Sequence, residues 1–175
     1  MIIKNYNTLK STNLKAKELA KKGAEPWTVV VAEEQEAGYG RKGASWLSPS
    51  GGLYFSIVLP KSNIDDLQTL TILAAFITAK VIKDNFGLEP FIKLPNDIWI
   101  NGKKVCGVLT ENVIGKEVKL SVMGIGLNTN IEKFPEDLEN IATSLKIELG
   151  RKVANVKIVK QIVQGLKEQL KTISQ

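Results

Sequence analysis

The stretch that decides the fold is residues 91–111, FIKLPNDIWINGKKVCGVLTE. Its apolar runs 91–93, 98–100 and 104–111 are short, and Asn101-Gly102 separates the last two. An Asn-Gly pair between apolar runs is a strong signal for a two-residue hairpin turn. This part of the chain is therefore predicted to form short antiparallel strands.

Outside this stretch, strand-like and helix-like patterns are mixed along the chain. Leu67, Leu70, Ala74, Ile77 and Val81 recur at steps of three and four, which predicts a helix. The predicted strands are 2–6, 27–32, 53–59 and 118–124, and the predicted helices are 14–22, 64–85 and the segment after 156. Together these patterns predict an α+β fold, a mixed, mainly antiparallel sheet with helices packed on one side.

Length and composition bound the class of protein. The 175 residues suit one domain, 1–175, and 43% of them are hydrophobic. No apolar run reaches the ~18 residues of a membrane span, and the first residues lack a signal peptide's apolar region. We therefore expect a cytoplasmic protein with no membrane partner.

The chain has one cysteine, Cys106, and no histidine. Internal disulfides, cysteine zinc sites and histidine-based catalysis are thereby excluded, and Cys106 is expected to be a small buried hydrophobe. Any metal is expected to be a hard ion such as Mg²⁺, held partly by substrate phosphates. The net charge of +6 comes from scattered lysines, which favours a solvated helix face or an anionic ligand over nucleic-acid binding.

The loop 38–46, Gly-Tyr-Gly-Arg-Lys-Gly-Ala-Ser-Trp, carries the clearest functional signal. Its glycines let the backbone approach a ligand, and Arg41 and Lys42 bring positive charge, which suits a phosphate or a carboxylate. It is neither a dinucleotide fingerprint nor a Walker loop. On local grounds a mobile surface loop is as good an interpretation, and Trp46 is either a core residue or a ligand shield.

Three other motifs allow both structural and functional interpretations. Lys93-Leu94-Pro95-Asn96-Asp97 is a turn, or a turn that aims polar side chains at a ligand. Lys104 is a solvated strand residue, or a cation directed into a pocket beside Gly107. Ser11-Thr12-Asn13 caps a helix or offers polar contacts, and Gly124-Ile125-Gly126-Leu127-Asn128 is a bulge or the floor of a nucleotide site.

In this order and spacing the motifs resemble the catalytic domain of biotin–protein ligases, which has a class II aminoacyl-tRNA synthetase-like fold. The family's usual patterns are Gly-Arg-Gly-Arg-x-Gly-x-x-Trp, Lys-Trp-Pro-Asn-Asp and Lys-(Leu/Val)-(Ala/Ser/Cys)-Gly-(Ile/Val)-Leu-x-Glu. The matches run from Ser11 to Asn128. Departures are Tyr39 in place of the loop's first arginine, Ala44 for a frequent basic residue, and Leu94 for tryptophan.

The resemblance implies an ATP-dependent biotin–[biotin carboxyl carrier protein] ligase. Such an enzyme joins biotin to MgATP, giving biotinyl-5′-AMP and pyrophosphate, and passes biotin to one lysine of a carrier domain of acetyl-CoA carboxylase or a related carboxylase. It has no permanently bound cofactor. The implied catalytic residues are Lys104 and Arg41, and Asp97 is the implied Mg²⁺ contact. The implied biotin-binding residues are Ser11, Thr12, Asn13, Gln35, Gly38, Tyr39, Gly40, Arg41, Lys104 and Gly107, and the nucleotide-binding ones are Trp46, Lys93, Asn96, Asp97, Gly126 and Asn128.

The resemblance also sets expectations about partners and domains. We expect no N-terminal DNA-binding domain, no DNA binding and no C-terminal SH3-like barrel, and a homodimer by analogy. Three alternatives differ in class: a lipoate or octanoyl transferase, a non-enzymatic biotin or nucleotide sensor, and a nucleic-acid binder. The transferases' characteristic loop and their cysteine or histidine motif do not occur in the sequence.

Overall fold

The computed structural model describes residues 1–60, 66–113 and 120–173. The strands are β1 (Ile2–Leu9), β2 (Thr28–Gln35), β3 (Leu53–Val58), β4 (Phe91–Lys93), β5 (Asp97–Ile100), β6 (Lys103–Val113) and β7 (Leu120–Leu127). The helices are α1 (Thr12–Lys21), α2 (Leu67–Phe86), α3 (Leu145–Leu149) and α4 (Asn155–Ile173), with a short 3-10 turn at Arg41–Gly43. The first part of the predicted helix 64–85 and the predicted turn at 115–116 lie outside the described residues.

The seven strands form one sheet in the order β1-β2-β3-β7-β6-β5-β4. β1 and β2 are parallel, because α1 crosses between them, and every other neighbouring pair is antiparallel. The predicted mixed, mainly antiparallel sheet is thus confirmed. The hairpin signal is also confirmed: Asn101 and Gly102 have φ values of 49° and 77°, the left-handed conformations that a tight hairpin turn requires.

The helices pack on both faces of the sheet, which corrects the expectation that they share one side. All six residues of β3 are buried, and successive side chains of a strand point to opposite faces. Phe55 and Ile57 join the larger core under α2 and α4, whereas Val58 joins a smaller cluster with Ala16 and Ala20 of α1. A weakly alternating, mostly apolar strand such as β3 is typical of a strand that is covered on both faces.

Local sequence signals account for both ends of α2. The Asp66 carboxylate accepts hydrogen bonds from the backbone N–H groups of Gln68 and Thr69 at the start of α2. Gly87 ends this helix in the left-handed conformation. None of the helices in the described part of the chain is long and apolar enough to cross a membrane.

The sheet face under α1 positions the functional side chains. On this face the paired strands β6 and β7 present mostly small residues, because Gly107 lies opposite Gly126 and Leu109 opposite Gly124. The other face of the same strands carries Val108, Met123 and Ile125, which are buried in the larger core. One face of the two strands therefore builds the core while the other leaves room for a ligand.

Candidate active site

A cavity of about 400 Å³ lies on the α1 face of the sheet. It is bounded by the first turn of α1, the loop 38–46 and the turn between β4 and β5. A cavity of this size suits a small-molecule ligand. The predicted residues that line it are Ser11, Thr12, Asn13, Gln35, Tyr39, Gly40, Arg41, Trp46, Asn96, Asp97, Lys104, Gly107 and Gly126.

One end of the cavity is polar and uncharged. Gln35 Oε1 accepts hydrogen bonds from the backbone N–H of Thr12 at 2.8 Å and from Thr12 Oγ1 at 3.1 Å. The buried hydroxyl of Ser56 lies 2.8 Å from Thr12 Oγ1 and 2.6 Å from Asn13 Oδ1. Ser11 begins the helix but makes no side-chain cap bond. The side chains of this turn therefore do not cap the helix but form a polar wall together with Gln35 and Ser56.

The middle of the cavity is flat and narrow. The indole of Trp46 lies over the paired glycines, so close that a Cβ on Gly126 would be 2.5 Å from Trp46 Nε1. A Cβ on Gly107 would be 3.2 Å from Trp46 Cζ3. Side chains at either position would push the ring away from the sheet. Trp46 Nε1 is buried against Gly126 and has no hydrogen-bond partner among the described residues.

The other end of the cavity is charged. Lys104 Nζ lies 2.8 Å from Asp97 Oδ1 and 5.1 Å from the centre of the Trp46 ring. Asn96 Nδ2 donates to the same Asp97 oxygen at 2.9 Å. The Arg41 guanidinium reaches Asn96 Oδ1 at 3.5 Å, which brings the basic loop to the turn between β4 and β5. Lys104 is thus aimed into the cavity and only 28% of its side chain is exposed.

Backbone hydrogen bonds turn the basic loop into a small hairpin. The N–H of Trp46 donates to the carbonyl oxygen of Gly38, and the N–H of Gly40 donates to that of Ala44. Lys42 and Gly43 at its tip have φ values of 56° and 76°. Arg41 and Lys42 are exposed at this tip, facing the charged end of the cavity.

Three predicted site residues do not line the cavity. Gly38 packs closely against the other end of the loop, because a Cβ at this position would lie 2.5 Å from the carbonyl oxygen of Trp46. Lys93 is exposed, and its ammonium lies 4.7 Å from the centre of the Trp99 ring. The buried Asn128 side chain donates to the carbonyl oxygen of Thr143 and fixes the segment before α3.

Three residues that contribute to the site are not among the predicted site residues, although Gly124 and Glu111 belong to motifs noted in the sequence. Ser56 is the one small polar residue in the strand LYFSIV, whose other residues are aliphatic or aromatic, and this was the available signal. Gly124 makes room for Asn13, because a Cβ there would lie 2.2 Å from Asn13 Oδ1. Glu111 ends the lysine strand motif, and its carboxylate accepts hydrogen bonds from Asn13, Tyr39 and Lys17.

Burial and hydrogen bonds shift the pKa values of the titratable groups around the cavity. Burial, together with the hydrogen bond to Glu111, raises the pKa of the Tyr39 phenol well above its ordinary value. For Glu111, burial alone would raise the pKa, but the hydrogen bonds from Lys17, Asn13 and Tyr39 outweigh it and lower the pKa. Cys106 is fully buried, as predicted, and burial raises the pKa of its thiol.

The cavity residues could supply one ligand to a metal ion whose other ligands come from a bound small molecule and water. Asp97 is the one carboxylate among the described residues that line the cavity. No group of three or more histidine, cysteine, aspartate or glutamate side chains in the described ranges is placed to hold an ion. This donor set suits Mg²⁺, which commonly takes one or two carboxylates and completes its shell with phosphates and water.

The fold and the cavity define a class of protein: an α+β domain with a cavity that is uncharged and polar at one end and cationic at the other. Sequence comparison identifies the family: the Biotin/lipoate A/B protein ligase family matches residues 6–128. The chain belongs to this family.

Within this family, the chain is similar in sequence to biotin ligases. The chain is 39% identical over 163 residues to the bifunctional ligase/repressor BirA of Bacillus subtilis, covering 90% of this chain and 50% of the relative. It is 36% identical over 126 residues to the biotin–[acetyl-CoA-carboxylase] ligase of Paracoccus denitrificans, covering 67% of this chain and 50% of the relative. The chain thus spans about half the length of these curated relatives.

A solved structure gives the same answer for the fold. The biotin protein ligase of Aquifex aeolicus in complex with biotin and ATP superposes with a TM-score of 0.89 at 29% identity. The superposition covers 99% of this chain and 72% of that one. The expected biotin-ligase catalytic-domain fold is confirmed.

Proposed function

We propose that the chain is a biotin–protein ligase that makes biotinyl-5′-AMP from biotin and ATP and then biotinylates a lysine of a carrier domain. One observation carries the proposal: the cavity joins an amide- and hydroxyl-lined end at Asn13 to a cationic end at Lys104. Biotin has a matching shape, with an uncharged ureido ring, an apolar body and a carboxylate tail. The relatives named above, including one with biotin and ATP bound, support the same substrates.

The sheet sets the order of the contacts. Gly124 lies against Asn13, and Gly126, two residues further along β7, lies under Trp46. Two residues of strand span about 7 Å, so the ring and the tail of a biotin-sized ligand would lie along β7. In this proposal Ser11, Thr12, Asn13 and Gln35 hold the ureido group, and Trp46, which packs on Gly107 and Gly126, forms a wall beside the apolar body.

In the first step a biotin carboxylate oxygen attacks the α-phosphorus of ATP. A bond to that phosphorus forms, the bond to the bridging oxygen of the β-phosphate breaks, and pyrophosphate leaves. Two unit negative charges about 4 Å apart repel by about 4 kcal/mol at an effective dielectric near 20. Lys104 and Arg41 offset this repulsion and stabilise charge on the phosphorus oxygens, while Asn96 and Asp97 lie where they would approach the phosphates.

Mg²⁺ bound to the ATP phosphates would supply further positive charge, and Asp97 is the residue that would hold it. In the second step the unprotonated amine of the carrier lysine attacks the acyl carbon. The bond from that carbon to the AMP oxygen breaks, AMP leaves, and the amine loses a proton. The nucleophile comes from the carrier, so the absence of histidine from this chain is compatible with the reaction.

The test is biotin-dependent pyrophosphate release from MgATP, followed by addition of a biotin carboxyl carrier domain and measurement of its mass. Release and a mass increase of one biotinyl group are expected. Lipoate, which lacks the ureido ring, is the control substrate and should give little release. A folded chain that releases no pyrophosphate with biotin would overturn the proposal, and equal release with lipoate would overturn the substrate assignment.

A further inference from the structure

The carboxylate of Glu111 joins parts of the molecule that are far apart in sequence. Its Oε2 accepts from Asn13 Nδ2 at 2.7 Å and from the Tyr39 hydroxyl at 2.9 Å. Its Oε1 lies 2.6 Å from Lys17 Nζ. Glu111 is therefore at the junction of α1, β6 and the start of the loop 38–46.

These contacts fix the orientation of the Asn13 side chain. Its amide nitrogen faces the Glu111 carboxylate, and its amide oxygen lies 2.6 Å from the fully buried Ser56 hydroxyl. Rotating the amide by half a turn would set two oxygens against each other at Glu111. The close approach of Gly124 to Asn13 Oδ1 leaves the side chain no room to move aside.

The same carboxylate holds the loop through Tyr39. The loop's own backbone bonds make it one unit, so holding Tyr39 also positions Arg41 two residues further on. The far end of the loop is tied to the same helix turn. Ser48 Oγ donates to the carbonyl oxygen of Trp46 and accepts from Gln35 Nε2, and the oxygen of that Gln35 amide accepts from Thr12.

We propose that Glu111 is a positioning residue that couples the ligand pocket to the basic loop, with Tyr39 as its contact on the loop. This inference rests on the proposed function, because it assigns the groups at Asn13 to biotin. Opening the loop then requires breaking the Tyr39–Glu111 hydrogen bond. A ligand bound at Asn13 and Thr12 stabilises the groups that anchor both ends of the loop, so biotin binding favours the closed loop.

The decisive variant is Tyr39→Phe, which removes one hydroxyl and keeps the ring. The matched control is Tyr6→Phe on β1, a phenol outside the cavity. The first measurement is trypsin cleavage after Arg41 and Lys42 in the ligand-free full chain, resolved by mass spectrometry. A hydrogen bond to a charged acceptor is lost, so we expect cleavage about tenfold faster in Tyr39→Phe and unchanged in Tyr6→Phe.

The second measurement separates positioning from simple stability. In Tyr39→Phe, biotinyl-5′-AMP should dissociate about tenfold faster, because the loop has lost its hydrogen bond to Glu111, while Tyr6→Phe should release it at the wild-type rate. Glu111→Gln should weaken biotin as well, since a neutral amide cannot serve Asn13, Tyr39 and Lys17 together. Adding Tyr39→Phe to Glu111→Gln should change the rate of loop cleavage little, because both substitutions disrupt the same hydrogen bond between Tyr39 and Glu111.

The outcomes distinguish this inference from the proposed function. Equal cleavage and equal intermediate release in wild type and Tyr39→Phe would overturn the coupling while leaving the ligase proposal intact. Additive effects of the two substitutions would also overturn it, because the residues would then act independently. A folded wild type that binds no biotin overturns the proposed function, and the ligand side of the coupling with it.

Discussion

Lys104 and Asp97 form an ion pair inside the cavity, with the ammonium nitrogen 2.8 Å from one carboxylate oxygen. Both side chains are about a quarter exposed, at 28% and 22%. The pair keeps the lysine pointed into the cavity, between Trp46 and Asn96. An incoming carboxylate and phosphate would compete with Asp97 for Lys104, and a cation on Asp97 would compensate the carboxylate left behind.

Replacing Lys104 with alanine should depress pyrophosphate release strongly without unfolding the protein. Losing one positioned charge that stabilises developing negative charge typically costs about 10²–10³-fold in rate. The ion pair is partly exposed, so its loss should cost at most about 1 kcal/mol of stability. Initial rates of biotin-dependent pyrophosphate release and a thermal melt would measure the two effects.

The matched control is Lys103→Ala, one residue earlier on the same strand. Lys103 does not line the cavity, and its ammonium donates to the backbone carbonyl oxygen of Glu139. Lys103→Ala should therefore retain nearly full activity. A folded Lys104→Ala protein with the wild-type rate would remove the catalytic role assigned to this lysine.

Biotin with MgATP should protect the loop tip from trypsin in the wild-type chain. Arg41 and Lys42 are exposed at the tip, and closing a glycine-rich loop costs conformational entropy that bound ligand offsets. We expect cleavage after Arg41 and Lys42 to slow by about tenfold or more at saturating ligand, because opening is then linked to ligand release. Cleavage after the exposed Arg151, which is outside the cavity, is the internal control and should be unaffected.

The sequence predicted the sheet well because its signals are local. The Asn101-Gly102 turn and the short apolar runs around it required no knowledge of distant contacts. The side of the sheet on which each helix packs was harder to predict. Every residue of β3 is buried, so its pattern does not indicate which helix covers which face. The five-residue α3 was missed since its cap, in which Ser144 Oγ accepts from the N–H of Ile147, lies in a segment without clear periodicity.

Most of the predicted site residues line one cavity. They could be predicted because the motifs occur in a recognisable order along the chain. The motifs did not predict the hydrogen bonds that join Asn13 to residues on the sheet. Ser56 and Glu111 meet Asn13 only through register and packing, over 43 and 98 residues of sequence separation. Lys93 and Asn128 matched motif positions but project away from the cavity, because a motif gives the type of residue and not its direction.

Alanine at Gly124 should weaken biotin binding more than alanine at Gly107. The new Cβ would lie 2.2 Å from the amide oxygen of Asn13. That amide cannot move aside easily, because Ser56 holds its oxygen and Glu111 holds its nitrogen. At Gly107 the nearest atom is Trp46 Cζ3 at 3.2 Å, and a shift of a few tenths of an ångström in the ring relieves it. We expect a loss of affinity of about tenfold or more for Gly124→Ala and a smaller one for Gly107→Ala, since overpacking typically costs about 1–3 kcal/mol. Calorimetric titration with biotin would measure this, and the reverse order would contradict the assignment of Asn13 to the ligand.

Glu111 should make the protein's stability depend on pH in the acid range. Its pKa in the folded state is below the ordinary value of 4.5, so the folded state binds this proton less readily than the unfolded one. The resulting stabilisation is fully present above pH 4.5 and is lost as the pH falls through the folded-state pKa. At pH 7, Glu111→Gln should lower stability by about 1–3 kcal/mol, the worth of hydrogen bonds to a charged group. The difference in melting temperature from wild type should then shrink between pH 5 and pH 3, as measured by a fluorescence melt at each pH.

Glu18 provides the comparison for this pH effect. Hydrogen bonds from Lys22 and Lys15 lower its pKa to about 2, but the carboxylate lies on the surface of α1. Exposed ion pairs within a helix contribute little, so Glu18→Gln should change the melting temperature only slightly at any pH. If the melting difference between wild type and Glu111→Gln stays constant down to pH 3, the ionised Glu111 carboxylate is not what holds Asn13, Lys17 and Tyr39 together.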